Sequence, residues 1–248
     1  MQTLDLTIGD LLPHGGQLKD AASSGKKAAD LALDQINAAI DEHGADHSVE
    51  LVHDDSGVNP ETAVSGAEKL VGDGASCLAG PWTTESVVAV AQKVAIPDSV
   101  LLISPAATGD ELTDLDDDRL VNRTVTAESF DTEPPEESDA ATAFDELFVK
   151  SDPKDVGRGP YDAQNFDAVI LCYLAAVAAG STDGADMSEA LGDVSGPPGD
   201  EFTWEQLADA VDTLEDGDDI DYVGASGEID LDKVGDPTAA TPTGANGD

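Results

Sequence analysis

The side chains with the clearest chemical potential are hydroxyl groups in two short loops. The first loop, GPWTTES, places Thr83, Thr84 and Ser86 at the predicted start of a helix, where unpaired backbone N–H groups and the helix dipole favour an anion. The second loop, Ser104 to Asp110 (SPAATGD), offers the hydroxyl of Thr108 among residues small enough to expose the backbone. Together the two loops would suit a small carboxylate. The alternative is that Thr83 or Thr84 caps the helix, and spacing alone favours capping.

Both loops follow apolar segments in a part of the chain that alternates strands with helices. The predicted strands are LDLTI, SVELV, ASCLA and SVLLI. Helices with an apolar stripe separate them, and the first stripe comprises Ala29, Ala32, Leu33, Ile36 and Ile40. This alternation predicts an α/β fold, a doubly wound parallel sheet covered on both faces. Ligands of such sheets bind at the carboxyl ends of the strands, where both loops lie.

The rest of the sequence predicts a linker, returning helices and a hairpin. We assign residues 1–128 to an amino-terminal α/β lobe, with RLVNRTV as its last candidate strand. Residues 129–139 are acidic and rich in proline, which predicts a linker. Residues 140–236 hold helical segments and the alternating stretch DIDYVGASGEIDLD, which predicts a hairpin that packs with them on the lobe. Residues 237–248 are predicted to be a disordered tail.

The charge is strongly unbalanced, with 53 acidic residues against 11 lysines and arginines and a net charge of −42. Such a surface repels phosphates, so nucleic acid is not an expected partner. The acidic residues lie between periodic apolar positions, which indicates an acidic coat on a folded core. The composition resembles that of proteins from extreme halophiles, and the alternative is an acidic interaction protein.

The remaining residues with reactive side chains predict no metal site, no cofactor and no enzyme. Cys77 and Cys172 lie in apolar segments and are expected to be small buried hydrophobes, because two cysteines at this separation do not make a disulfide framework or a metal site. The segment from Asp230, DLDKVGD, begins like a calcium-binding loop but lacks its later ligands. The sequence shows no nucleophile–base pair and no cofactor loop.

The sequence leaves the location of the chain open. No apolar segment reaches the length of a membrane span. The amino terminus shows no signal peptide, so either the chain stays inside the cell or its leader is missing from this sequence.

The order of the loops resembles a known family. The segments IGDLLPHGGQL, VELVHDDSGVNPETAVSGAEKLV, AGPWTTESVVAVAQ, LLISPAATGDELT and RTV follow one another as in the amino-terminal lobe of periplasmic-type (type I) solute-binding proteins. The most similar group is the leucine/isoleucine/valine-binding proteins of branched-chain amino acid ABC transporters. FDAV, from Phe166, and IDYVGASGEIDLDKVGD resemble the later helix and the closing hairpin of that family.

The resemblance implies a site for an amino acid, held without a cofactor in a cleft between two lobes. The candidate ligand-binding residues are Thr84, Ala106, Thr108, Thr83, Phe166 and Trp82. Thr84 would hold the carboxylate at the helix start, Ala106 would offer its carbonyl to the ammonium group, and Thr108 would contact both. Phe166 would lie near a position that lines the side-chain pocket. Ala21 stands where the family often has an aromatic lid residue, so that contact would be missing.

One departure from the family concerns its second lobe, which this sequence has no room for after RTV. We therefore expect a truncated substrate-binding component of an ABC transporter for branched-chain or related small amino acids or amides, impaired in binding. Its partners would be the amino acid and a membrane permease, at the cell surface or outside the cell. The alternative function is a non-transport interaction module, a lone lobe or a homodimer that rebuilds a cleft, with Trp82 as its anchor. The alternative location is the cytoplasm.

Overall fold

Five parallel strands form the sheet that carries the predicted binding loops. We describe the protein from a computed structural model, over residues 3–128, 138–151 and 157–238. The strands are Thr3–Leu12 (β1), Asp46–Asp55 (β2), Cys77–Ala79 (β3), Leu101–Ser104 (β4) and Val121–Arg123 (β5). Their order across the sheet is β2-β1-β3-β4-β5, with every neighbouring pair parallel. The order reverses between β1 and β3, so the carboxyl ends of these two strands flank a crevice.

Helices cover both faces of this sheet, which confirms the doubly wound α/β fold. The helices are Lys19–His43 (α1), Pro60–Gly72 (α2), Thr84–Val90 (α3), Ile96–Asp98 (α4), Asp139–Ser151 (α5), Asp162–Ala179 (α6), Gly184–Val194 (α7) and Leu207–Asp216 (α8). Successive residues of a strand point to opposite faces. Accordingly, Cys77 and Ala79 pack into one core with α1 and α6, and Leu78 packs into a second core with α2 and α3.

Helix α6 is the centre of the larger core. Every residue from Asp162 to Val177 is buried, because α1, α7, α8 and the sheet surround the helix. An apolar helix without a polar face is typical of such a position. Within the described residues, no single helix is long and apolar enough to cross a membrane. Helices α6 and α7 together reach the required length and apolar composition, with a bend of 99° between them.

A smaller sheet contains the predicted hairpin. Its strands are Asp200–Thr203 (β6), Ile220–Gly224 (β7) and Gly227–Glu228 (β8), with β6 parallel and β8 antiparallel to β7. The hairpin prediction is confirmed, whereas sequence reasoning missed α7 and β6.

Asp167 of α6 anchors the hairpin. Its carboxylate accepts from Tyr222 Oη at 2.8 Å, from the Ala225 amide at 2.8 Å, and from the Ser226 amide at 2.7 Å and hydroxyl at 2.6 Å. Burial raises the pKa of Asp167 to about 6, although these donors oppose the shift.

The two cysteines are buried as expected, but the expectation that they do not pair was wrong. Cys77 of β3 and Cys172 of α6 form a disulfide, with their Cα atoms 6.0 Å apart. This separation lies in the range that a disulfide can bridge. The residues are 95 positions apart in sequence, and only the packing of α6 on the sheet brings them together.

Two predicted segments lie largely outside the described residues. Of the predicted linker, only Ser138 and Asp139 are described, and Asp139 begins α5. Of the predicted tail, only Pro237 and Thr238 are described. Pro237 lies opposite Leu231 in an isolated antiparallel β-bridge, and the Thr238 amide donates to the carbonyl of Asp230 at 2.8 Å.

Candidate functional site

The loop after β3 carries Trp82 into the interior at the carboxyl end of the sheet. The turn begins at Gly80, which has a φ of +110°, and a Cβ there would lie 2.3 Å from the carbonyl oxygen of Leu11. The Trp82 side chain is only 4% exposed. Its ring lies so close to α1 that a Cβ on Gly25 would be 2.8 Å from it. A tryptophan buried in this way presents no exposed anchor for a protein partner.

Ser104, the last residue of β4, joins the two predicted binding loops. Its hydroxyl donates to the carbonyl of Pro81 at 2.6 Å and accepts from the amide of Ala107 at 3.3 Å. The side chain is fully buried. One hydroxyl therefore sets the position of the second loop relative to the first.

Thr84 and the loop around Thr108 meet directly. The Gly109 amide donates to Thr84 Oγ1 at 3.1 Å. Since the Thr84 oxygen acts as an acceptor in this bond, its hydroxyl hydrogen stays available to a ligand. Thr84 and Thr108 are both half-buried, and Thr108 is further held by the Glu128 amide, which donates to its carbonyl at 2.8 Å.

Thr83 occupies the N-cap position of α3 without capping the helix through its side chain. Its hydroxyl donates to Ser86 Oγ at 2.8 Å. The Thr84 hydroxyl engages the second loop, as described above. Neither side chain therefore plays the capping role that the sequence spacing favours.

An aromatic wall lies beside these polar groups. The rings of Trp82 and Tyr161 meet edge to face, with centroids 5.7 Å apart and planes at 67°. Ala106 and the half-buried Ala21 pack in the same small apolar cluster. Sequence reasoning missed Tyr161, whose available signal was an aromatic residue immediately before a helix at the predicted cleft.

Phe166 does not join this cluster. It is fully buried in the larger core, where its ring lies 4.9 Å from Phe144 and 5.5 Å from Trp204, measured between centroids. Because Phe166 and Trp82 are both buried, they do not form the exposed apolar patch that an interaction module would require.

A chain of buried polar groups runs behind the aromatic wall. Asn165 donates to Asp10 Oδ1 at 3.2 Å and to the carbonyl of Gly25 at 3.0 Å, and its own oxygen lies 3.5 Å from Trp82 Nε1. Asp10 in turn meets His53 at 2.7 Å. These groups connect the site to β1 and β2, and sequence reasoning identified none of them.

A matching family model covers residues 5–121 and is described as periplasmic binding protein. Over these residues, the chain is similar to the periplasmic binding proteins. The match runs from Asp5 in β1 to Val121 in β5 and includes Thr84, Ala106 and Thr108.

Curated relatives of this chain include the Leu/Ile/Val-binding protein BraC3 of Rhizobium johnstonii and the Leu/Ile/Val-binding protein homolog 3 of Brucella melitensis. Each is 36% identical over 109 residues, which are 44% of this chain. The aligned part spans only 29% of either relative.

Solved structures extend the similarity in fold to the second half. The leucine binding protein LivK of Thermotoga maritima superposes with a TM-score of 0.69 at 13% identity, over 93% of this chain and 92% of that one. LivJ of Streptococcus pneumoniae, in complex with isoleucine, superposes with a TM-score of 0.68 at 17% identity, over 93% of this chain and 92% of that one. At such identities the similarity shows the fold alone.

Proposed function

We propose that this protein binds a small amino acid, with leucine, isoleucine and valine as the first candidates, as the solute-binding component of an ABC transporter. The observation that carries the proposal is the contact between Thr84 and the loop of Thr108, beside the wall of Trp82 and Tyr161. A site with polar groups at one end and apolar groups at the other fits a zwitterion with an aliphatic side chain.

Each part of such a ligand has a partner among these residues. The ligand carboxylate would accept from the hydroxyl of Thr84 and from the backbone at the start of α3. The ammonium group would donate to the carbonyl of Ala106 and to the Thr108 hydroxyl. The aliphatic side chain would lie against the half-buried Tyr161, which packs on Trp82 and takes the place proposed for Phe166 from the sequence.

Export of the protein is supported by two features. Curated relatives over 109 residues of this chain are Leu/Ile/Val-binding proteins. The buried disulfide between Cys77 and Cys172 suits an oxidising compartment. We therefore place the protein outside the cytoplasm, where a membrane permease would be its partner.

Thermal unfolding with added ligand tests the proposal. The protein is melted in multimolar KCl with leucine, isoleucine, valine or no ligand, because a ligand that binds only the folded state raises the Tm. Thr84→Ala and Thr108→Ala should each abolish the shift. Thr213→Ala is the matched control, since that exposed hydroxyl donates within α8 to the carbonyl of Asp209 at 3.0 Å. A shift that survives both site variants would refute the assignment.

A further inference from the structure

We propose that Arg123 and Asp236 are positioning residues that hold the loop from Ser104 to Thr113 in its ligand-binding shape. The part of this inference that concerns a ligand rests on the proposed function. The part that concerns the order of the loop does not. Arg123 ends β5, is 1% exposed, and reaches the loop with its guanidinium group.

The guanidinium group binds the loop on both sides of Thr108. Arg123 Nη1 donates to the carbonyl of Ala107 at 3.2 Å and to the carbonyl of Gly109 at 2.9 Å. The carbonyl between them, that of Thr108, accepts from the Glu128 amide at 2.8 Å. Three consecutive peptide planes are thereby fixed, and with them the backbone at the predicted ligand contact.

Asp236 completes the set of partners of Arg123. Its carboxylate accepts from Nε at 2.6 Å and from Nη2 at 2.7 Å. Nη2 also donates to Thr113 Oγ1 at 2.8 Å, and Thr113 donates to Asp236 at 2.6 Å. All five N–H donors of the arginine are thus used. Paired and fully hydrogen-bonded, the buried charge is stable here, and removal of its partner would leave it uncompensated.

A turn near the carboxyl-terminal end of the described chain presents Asp236 to the arginine. Asp232 Oδ1 accepts from the amides of Val234 at 2.8 Å and Asp236 at 3.1 Å. The Arg123 amide donates to the carbonyl of Gly235 at 3.1 Å. Gly235 has a φ of +82°, and a Cβ there would lie 2.6 Å from the carbonyl oxygen of Val121, so the turn requires glycine. The shape of the loop therefore depends on a segment 113 positions away from Arg123.

Hydrogen exchange and calorimetry on matched variants of the full chain test the inference. Asp236→Asn removes the negative charge and one of the two oxygens that accept from the guanidinium group, and Thr113→Val removes its hydroxyl partner. Asp167→Asn is the control, because it makes the same substitution at a buried carboxylate that anchors the hairpin and does not contact the loop. Exchange is measured for the peptide that covers residues 104–113, and binding by titration with leucine, isoleucine and valine.

We expect Asp236→Asn to speed exchange in the loop peptide by about tenfold or more, because the loop opens locally without global unfolding. Affinity should fall by a similar factor, while peptides from β1 and α2 keep their protection. Asp167→Asn should lower the Tm and leave exchange in the loop unchanged. Should Asp236→Asn fail to fold, Thr113→Val, which keeps both charges, gives the same readout.

The inference is overturned if the loop exchanges at the wild-type rate in every folded variant at Asp236 or Thr113. A wild type that binds none of the three amino acids, but whose loop order still depends on Asp236, would refute the proposed function alone. If the wild type binds and the variants lose loop order at unchanged affinity, the pair orders the loop without serving the ligand, and the positioning role is refuted.

Discussion

The imidazole Nδ1 of His53 lies 2.7 Å from Oδ2 of Asp10, a carboxylate with no exposed surface. The other ring nitrogen, Nε2, lies 2.9 Å from Oδ1 of Asp30. An ionised carboxylate can only accept hydrogen bonds. Both ring nitrogens must therefore donate while both aspartates are ionised, which makes His53 an imidazolium. The cluster joins β2 to α1 and, through Asn165, to the tryptophan of the candidate site.

Stability should depend on pH through this cluster. Burial and the charge of Lys26 lower the pKa of His53, but Asp10 and Asp30 raise it by a larger amount. The pKa of His53 therefore lies above its ordinary value. The pKa of Asp10 is also raised, because the effect of its burial is the largest. His53, Asn165 and the charge of His14 lower this pKa, but by less. Both groups hold their protons more tightly in the folded state, so their contribution to stability is present at low pH and is lost as pH rises through the raised values.

His53→Gln should remove the part of this dependence that His53 contributes. We expect the wild type to exceed the variant in Tm most clearly at about pH 6, below the ordinary pKa of histidine, and the difference to shrink towards about pH 9. His14→Gln, which leaves the hydrogen bonds of Asp10 intact, is the control. A Tm difference that stays constant over this range would show that the proton on His53 is not linked to folding.

The disulfide should contribute substantially to stability. Replacement of Cys77 and Cys172 together by alanine releases a long loop in the unfolded chain, which typically costs about 2–5 kcal/mol. We expect a lower midpoint of guanidinium unfolding for the double variant, measured against the wild type without reductant. Titration of thiols in the denatured wild type supplies the control, and two reactive thiols there would contradict the disulfide.

The main sheet could be predicted because short apolar segments mark its strands and the helices between them are amphipathic. Contacts between segments far apart in the sequence could not be predicted. The disulfide joins residues 95 positions apart, and the pair of Arg123 and Asp236 spans 113. No local pattern encodes either.

The residues of the pocket proposed for the ligand's side chain were harder to predict for a different reason. Helix α6 is buried all round, so its sequence has no amphipathic phase to show which face meets the cleft. Phe166 and Tyr161 therefore could not be distinguished by periodicity. Only the structure separates Phe166, which lies in the core, from Tyr161, which lies beside Trp82.

Salt should stabilise the folded chain. At a net charge of −42, the carboxylates on the surface repel one another, and added salt screens this repulsion. We expect the Tm to rise continuously from about 0.1 M KCl, where the screening length is near 10 Å, into the multimolar range. A Tm that does not change with KCl would contradict the halophilic interpretation. The pair of Arg123 and Asp236 is buried and should respond little to salt, so its loop peptide offers an internal control in hydrogen exchange.

Gly109→Ala should separate binding from folding. A Cβ at this position would lie 2.5 Å from Cγ2 of Thr84 and 2.6 Å from a carboxylate oxygen of Glu111. The glutamate side chain can move aside, but Thr84 cannot without loss of the 3.1 Å hydrogen bond from the Gly109 amide. We expect the affinity for leucine, isoleucine or valine to fall by about tenfold, the effect of one lost hydrogen bond of about 1.4 kcal/mol, with a smaller change in Tm.

Gly72→Ala is the matched control for this variant. A Cβ on Gly72, the last residue of α2, meets nothing within 4 Å, so the substitution should leave binding unchanged. Wild-type affinity in Gly109→Ala would mean that the contact between Thr84 and this loop is not needed to hold the ligand. The two hydroxyl residues would then have to act independently, and the polar end of the site would lie on only one of the two loops.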